Sequence, residues 1–269
     1  MRVNDWHKLS RKEITMAAIS EEQNHLLLST CLLAGKIMME SGSESYRVED
    51  TMQRIAQNSH RFDTASYVTN TAVFMSLNKH SDMQMVLVKK TSTDLAKIDD
   101  TNQLSRSYAE GKINLEELYQ ALQAVDKQEK TFPFSVQLLA AGAASAAFML
   151  MIDSTNYWDI GFAFAIAIIG FAISEYCKVE FEITFLSDFF ATTVIGFLAL
   201  SLNRLGLVNN LDSLITGCIM PLLPGLAITG ALRDLFARQL ISGMVQAVNA
   251  ILIAIVLGVG IALTLQWLG

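Results

Sequence analysis

The sequence has few of the residues that hold metals, cross-link a fold or grip nucleic acid. Its three cysteines, Cys31, Cys177 and Cys218, stand alone without a paired zinc or redox spacing, so ordinary reduced thiols and no disulfide framework are expected. The four histidines, His7, His25, His60 and His80, form neither an HExxH zinc pattern nor partners for a GxSxG elbow. No catalytic residue, no metal and no cofactor are therefore expected. A net charge of -6 without a basic cluster argues against a nucleic-acid partner. The opening residues MRVNDWHKLSRKEITMAA lack the continuous apolar core of a secretory signal, so the first region is expected to stay in the cytoplasm. Proline occurs three times, at Pro133, Pro221 and Pro224, and two of the three fall in one apolar run.

Two regions of different character make up the chain. Beyond residue 132 the only basic residues are Lys178, Arg204, Arg233 and Arg238, whereas the first region is charged throughout. Residues 1–132 read as an α+β domain. Residues 1–20 lie ahead of its first element and are open to disorder. A helix is expected after Ser20, with Gln23 completing a capping box, and should stop near Gly42. A second helix is expected from Tyr46 to Asn58, and then strands at 67–77 and 83–89 joined by a polar turn at 78–82. Leu95, Ile98 and Tyr108 predict a helix ending at Gly111, and Asn114 with Glu117 caps another.

Residues 133–269 hold five apolar stretches, at about 133–152, 159–177, 185–203, 213–232 and 241–267, each near the length a membrane-spanning helix needs. The fold class is thus a membrane protein, with a cytoplasmic α+β domain followed by an α-helical bundle of five transmembrane helices. Lys127 and Lys130, then Lys178, then Arg233 and Arg238 fall on one side of the spans, which places the amino terminus inside and the carboxyl terminus outside. The small residues from Ala140 to Ala147 suit close helix packing.

The fourth stretch carries MPLLPGLAITGALRDL, residues 220–235, in which two prolines and a glycine interrupt the helix. Non-helical backbone at membrane depth survives only where protein buries it or a wet cavity meets it. Two readings stand: a proline kink absorbed by packing, or a solute site on a discontinuous helix.

The segment GSESYRVED, residues 42–50, followed by a strand pair, a helical pair and five spans with the LLPG element, resembles the amino-terminal component of the threonine/serine exporter family. The resemblance covers residues 25–269. It implies a secondary transporter subunit that exports small polar metabolites, amino acids such as threonine and serine, or alternatively dicarboxylates such as succinate. Short chains of this kind resemble one half of a hetero-oligomer. A separate small membrane protein would supply the other half, within the lipid bilayer and with homo-oligomerisation open, coupled to the proton gradient or to another source. A membrane-anchored sensor or scaffold and a hydrolase are the remaining alternatives.

Pro224, Gly225 and Asp234 match the pattern that the resemblance implies for the broken span, and the other candidates follow from the break and from charges at membrane depth. Pro221, Pro224, Gly225, Thr229, Gly230, Arg233 and Asp234 are candidates for substrate binding or gating. At Gly230 the family pattern expects an asparagine, so that amide is missing here. Glu175, Asp188 and Asp234 are candidates for proton coupling, with boundary residues as the alternative for the first two. Glu44, Arg47 and Glu49 either form a solvated helix start, in which Glu44 pairs with Arg47 and Tyr46 with Asp50, or contact entering solute or latch the domain.

Overall fold

The computed structural model describes residues 11–77, 83–89, 92–128, 132–154, 156–181 and 184–268. The turn expected at 78–82, Lys130 and the first ten residues lie outside them. Among the described residues, ten helices and three strands follow in the order α1 (Arg11–Glu40), α2 (Ser45–Asn58), β1 (Ala65–Val68), β2 (Ala72–Ser76), β3 (Gln84–Leu87), α3 (Leu95–Ala109), α4 (Leu115–Lys127), α5 (Phe134–Ile152), α6 (Ile160–Phe181), α7 (Thr184–Arg204), α8 (Leu211–Ile219), α9 (Gly225–Phe236) and α10 (Leu240–Leu268). A short 3-10 turn, Met220–Leu222, follows α8.

The chain falls into two compact units, one of residues 1–129 with 230–246, the other of residues 130–229 with 247–269. In the first unit, α1 is the central helix and packs on α2, α3, α4, β2 and β3. Leu27, Cys31, Ile37 and Met38 are buried along it. At Gly35 a β-carbon would lie 2.7 Å from the Met52 sulfur and 2.9 Å from Val73, so α2 and β2 come closer than a side chain would allow. Helix α1 begins at Arg11 rather than after Ser20. Ser20 and Gln23 therefore sit inside the helix, and the apolar run behind them carries the backbone through the cap signal.

The three strands form an antiparallel sheet in the order β1-β2-β3. The single strand expected at 67–77 is two strands joined by a tight turn. The Thr69 amide donates to the Ala72 carbonyl at 2.9 Å, and the Thr69 hydroxyl also bonds that carbonyl. Continuous β-branched and aromatic content hid this turn, because Asn70 is its only strong turn residue. Asn114 and Glu117 do form the capping box of α4: the Glu117 amide donates to Asn114 at 2.9 Å and the Asn114 amide to Glu117 at 2.8 Å.

In the second unit α5, α6, α7 and α8 pack together. Gly142, within the small-residue stretch of α5, leaves no room for a β-carbon against Phe164, which would lie at 2.9 Å. Gly217 of α8 is equally tight against the Met149 β-carbon at 2.9 Å. The loops before α6 and α8 are tied by the fully buried Asp159, whose carboxylate accepts the Asn209 and Asn210 amides at 3.0 Å and the Asn156 side chain at 2.6 Å. Trp158 donates its indole N–H to the Leu207 carbonyl in the same place. A buried carboxylate holding two backbone amides fixes where α8 starts.

Among the described residues four helices are long and apolar enough to cross a membrane: Phe134–Ile152, Ile160–Lys178, Phe185–Arg204 and Leu240–Trp267. The pair Leu211–Leu222 and Gly225–Phe236 makes a fifth if counted as one span, bent by 60° at its break. Replacement of Asn114 by alanine removes the α4 cap and is expected to cost about 1 kcal/mol. Thermal unfolding of the first unit followed by tryptophan-independent amide exchange checks this, and an unchanged protection of α4 would contradict it.

Candidate functional site

The family-like segment 42–50 folds as an elbow. Helix α1 ends with Gly42 at φ +83°, and the Ser43 amide reaches back to the Met38 carbonyl at 3.0 Å. A residue with a β-carbon at Gly42 would be strained by its dihedral and crowded by the Ser92 carbonyl at 3.1 Å. The chain then turns into α2 with Glu44 as its N-cap residue, but the Glu44 side chain makes no capping bond. The first amides of a helix have no partner within it.

Asp234 supplies the missing acceptor. Its Oδ1 takes the Ser45 amide at 3.0 Å, and its Oδ2 takes the Gln246 side-chain amide at 3.1 Å. Asp234 is 0% exposed. A carboxylate at that depth is costly unless donors surround it. The α2 amino terminus provides such donors together with the positive end of the helix dipole.

Around this bond, other side chains join the elbow to the turn between α9 and α10. Arg233 donates to Glu44 Oε1 at 2.7 Å, while Glu44 Oε2 also takes Arg47 at 3.4 Å. Glu49 accepts the Val68 amide at 3.2 Å on one oxygen and Gln239 at 2.7 Å on the other. Gln246 also donates to the Asn70 side-chain oxygen at 3.2 Å, and Asn70 donates to the Ser242 carbonyl at 3.3 Å. The expected Glu44–Arg47 pair is present, whereas Asp50 pairs with Arg54 at 2.6 Å in place of Tyr46.

The turn itself has a strained residue. Arg238 sits at φ +66°, with the Gln239 amide on the Asp234 carbonyl at 2.8 Å and the Arg238 amide on the Leu235 carbonyl at 3.1 Å. This is the Schellman pattern, with arginine where glycine is common. Gly243 lets α10 approach, since a β-carbon there would meet the Leu235 amide nitrogen at 2.9 Å and the Ala231 carbonyl at 3.0 Å.

Two of the expected site residues have other occupations. The Thr229 hydroxyl turns back onto the Gly225 and Leu226 carbonyls of its own helix, at 3.2 and 3.0 Å. At Gly230 a β-carbon would lie 3.1 Å from Gln246 Oε1, so the amide that the resemblance expects at 230 is matched in space by one arriving from α10. Gln246, Gln239, Asn70 and Ser242 were not singled out from the sequence. Only Gly230, as a gap in a family pattern, pointed toward them.

At the break, Pro221 lies in the 3-10 turn and Leu223 is extended. Neither proline has an amide to donate. The Met220 carbonyl, which a continuous helix would pair with residue 224, instead takes the Leu223 amide at 3.2 Å, and the Gly225 amide closes on the Leu223 carbonyl at 2.8 Å. A β-carbon at Gly225 would meet nothing within 4 Å, so open space surrounds it. Within this second unit Glu175 and Asp188 converge on Lys178, at 2.9 and 3.9 Å, and the buried Asp188 takes the Ser174 hydroxyl at 2.9 Å.

Residues 29–268 match the model of the family described as "Putative threonine/serine exporter". The chain belongs to the threonine/serine exporter family. A curated relative, an uncharacterised protein of Schizosaccharomyces pombe, is 22% identical over 271 residues, covering 97% of this chain and 34% of the relative. The chain therefore spans about a third of that relative's length. No solved structure matches it. Family membership and the apolar helices make it a membrane protein of an exporter family.

The two elbow glutamates are tuned in opposite directions. Burial pushes the Glu44 carboxyl up, but its own backbone amide, Arg233 and Arg47 outweigh that and hold it below the usual range. Its contribution to stability is present above the ordinary carboxylate range and lost as pH falls through the lowered value. Glu49 is pushed up, chiefly by burial and also by the Asp234 charge, against the Val68 and Gln239 bonds. Its contribution is full at acid pH and lost as pH rises through the raised value. Glu49→Gln should therefore gain thermal stability relative to the unaltered protein on going from about pH 4 to about pH 7. A relative loss over that interval would contradict the assignment.

Proposed function

We propose that this chain is a subunit of a secondary transporter in the cell membrane that exports small polar metabolites from the cytoplasm, with amino acids such as threonine and serine as solutes. The observation that carries this reading is the 60° break between two apolar helices, with non-helical backbone at Leu223 and open space at Gly225. Discontinuous helices of this kind hold solutes in other transporters through exposed backbone groups and helix ends. Counted as one span, the pair gives five spans, with the amino-terminal unit in the cytoplasm and the carboxyl terminus outside. A separate small membrane protein supplies the second half of the transporter. Succinate-type dicarboxylates are the second solute class.

In this mechanism Pro221, Pro224 and Gly225 keep the break open, and α9 links it to Arg233 and Asp234. The elbow residues Glu44, Arg47 and Glu49 hold the cytoplasmic end of α9 and release it when solute enters. Asp234, Glu175 and Asp188 are the carboxylates available to a coupling proton.

Reconstitution of the chain with and without its small partner, in vesicles preloaded with threonine, serine or succinate, tests the proposal. Efflux by the pair is expected, with amino acids ahead of succinate; no efflux of any of the three by a folded pair would defeat it. Replacing Pro224 and Gly225 together by alanine should abolish efflux by restoring a continuous helix. Undiminished efflux would reduce the break to a packing kink. Asp234→Asn should slow efflux by at least about tenfold, the worth of one charge-assisted hydrogen bond, while insertion is unchanged. An unaltered rate across the pH range would remove Asp234 from the mechanism.

A further inference from the structure

We propose that the amino terminus of α2 is a carboxylate receptor, filled in this structure by Asp234 and taken over during transport by the carboxylate of an α-amino acid. The inference rests on the exporter reading for its solute, though not for the site itself. The receptor has donors that the helix leaves unused. Glu44 gives no side-chain cap, and the Arg47 and Val48 amides are already spent on the Glu44 carbonyl at 3.0 and 3.2 Å. The Ser45 and Tyr46 amides remain for a carboxylate from elsewhere.

A second feature points to a ligand independently of the helix end. The Ser45 side chain is 0% exposed and its hydroxyl has no hydrogen-bond partner. A buried hydroxyl is seldom left so. It belongs to the first residue of α2, whose own backbone amide holds Asp234 at 3.0 Å. A carboxylate free of the α9 backbone could settle deeper and take that donor, together with Gln246, which now holds Asp234 at 3.1 Å.

Charge balance selects the solute class. When a solute carboxylate takes the α2 terminus, the released Asp234 carboxylate becomes available to an ammonium group, with Glu49 beside it as a second acceptor. A zwitterionic amino acid brings one charge of each sign and leaves the net charge of the cluster unchanged. A dicarboxylate brings two negative charges to a place that already has Glu44, Glu49 and Asp234, with Arg233 and Arg47 engaged by Glu44. Like charges at that depth disfavour it. Arg233, with 63% of its side chain exposed, stands where the solute would enter.

Chemical rescue of the full chain in detergent micelles or nanodiscs tests the receptor without transport. Asp234→Ala should lower Tm by an amount on the order of 2–4 °C for each cap-sized loss. Sodium acetate should restore at least half of that fall and sodium chloride of equal ionic strength should not, while the unaltered protein is unmoved by either. L-threonine should stabilise the variant at roughly tenfold lower concentration than its methyl ester or than succinate, a difference of the size of one charged hydrogen bond. Equal shifts by acetate and chloride, or equal shifts in variant and unaltered protein, would overturn the proposal. If Asp234→Ala does not fold, Gln246→Ala serves, since Asp234 then loses one of its two anchors and should yield to L-threonine at lower concentration than in the unaltered protein; identical titrations would overturn it. Absent rescue with intact efflux defeats the receptor alone, and rescue without efflux defeats the exporter reading alone.

Discussion

A helix that begins without its own cap and a carboxylate buried without a cation are each unfavourable alone, and in this protein each relieves the other. Helix α2 starts at Ser45 with unpaired amides because Glu44 turns its side chain to Arg233 and Arg47. Asp234 is fully buried and finds its donors at that helix end and on Gln246. Neither segment reaches this arrangement by local preference. Ser45 of the elbow and Asp234 beside the α9–α10 turn are 189 residues apart in sequence, and their bond is flanked by the Arg233–Glu44 and Gln239–Glu49 contacts.

The placement of that contact gives it consequence beyond stability. Helix α9 runs from Gly225, at the break, to Phe236, and Asp234 lies near its far end. Gly225 and Asp234 are nine positions apart along this helix. In the proposed transport cycle, α9 is the segment that would carry a change at the α2 terminus to the backbone beside Pro224. Glu49 and Gln239 brace the same turn, and Gly243 permits the close approach of α10 that brings Gln246 into reach. The strained dihedral at Arg238 is tolerated because the Schellman bonds on either side fix it.

Much of the architecture could be read from the residues because it follows local rules. Apolar runs, the Asn114–Glu117 cap and the prolines placed most helices within a few residues. The errors have physical causes. The turn at Thr69–Ala72 interrupts a stretch whose composition favours a strand throughout, and the apolar continuity of α1 overrides the cap at Ser20. For the site, Asp234, Arg233, Glu44 and Glu49 were legible as charges beside a broken span and a recognisable segment. Gln246, Gln239, Asn70 and Ser242 were not, since a neutral amide in a sequence carries no sign of the partner it will meet across the fold. The Thr229 hydroxyl bonds the Gly225 and Leu226 carbonyls of its own helix, an acceptor pair that its sequence position does not reveal.

Amide exchange at the start of α2 tests this account most directly, because the Ser45 amide has no partner within the helix and is held by Asp234. In the unaltered chain the Ser45 amide should exchange slowly, and in Asp234→Ala its exchange should rise at least about tenfold, the loss of a bond near 1.5 kcal/mol, while peptides from α5 to α7 are unchanged. Equal exchange at Ser45 in the two proteins would contradict the claim that Asp234 caps α2.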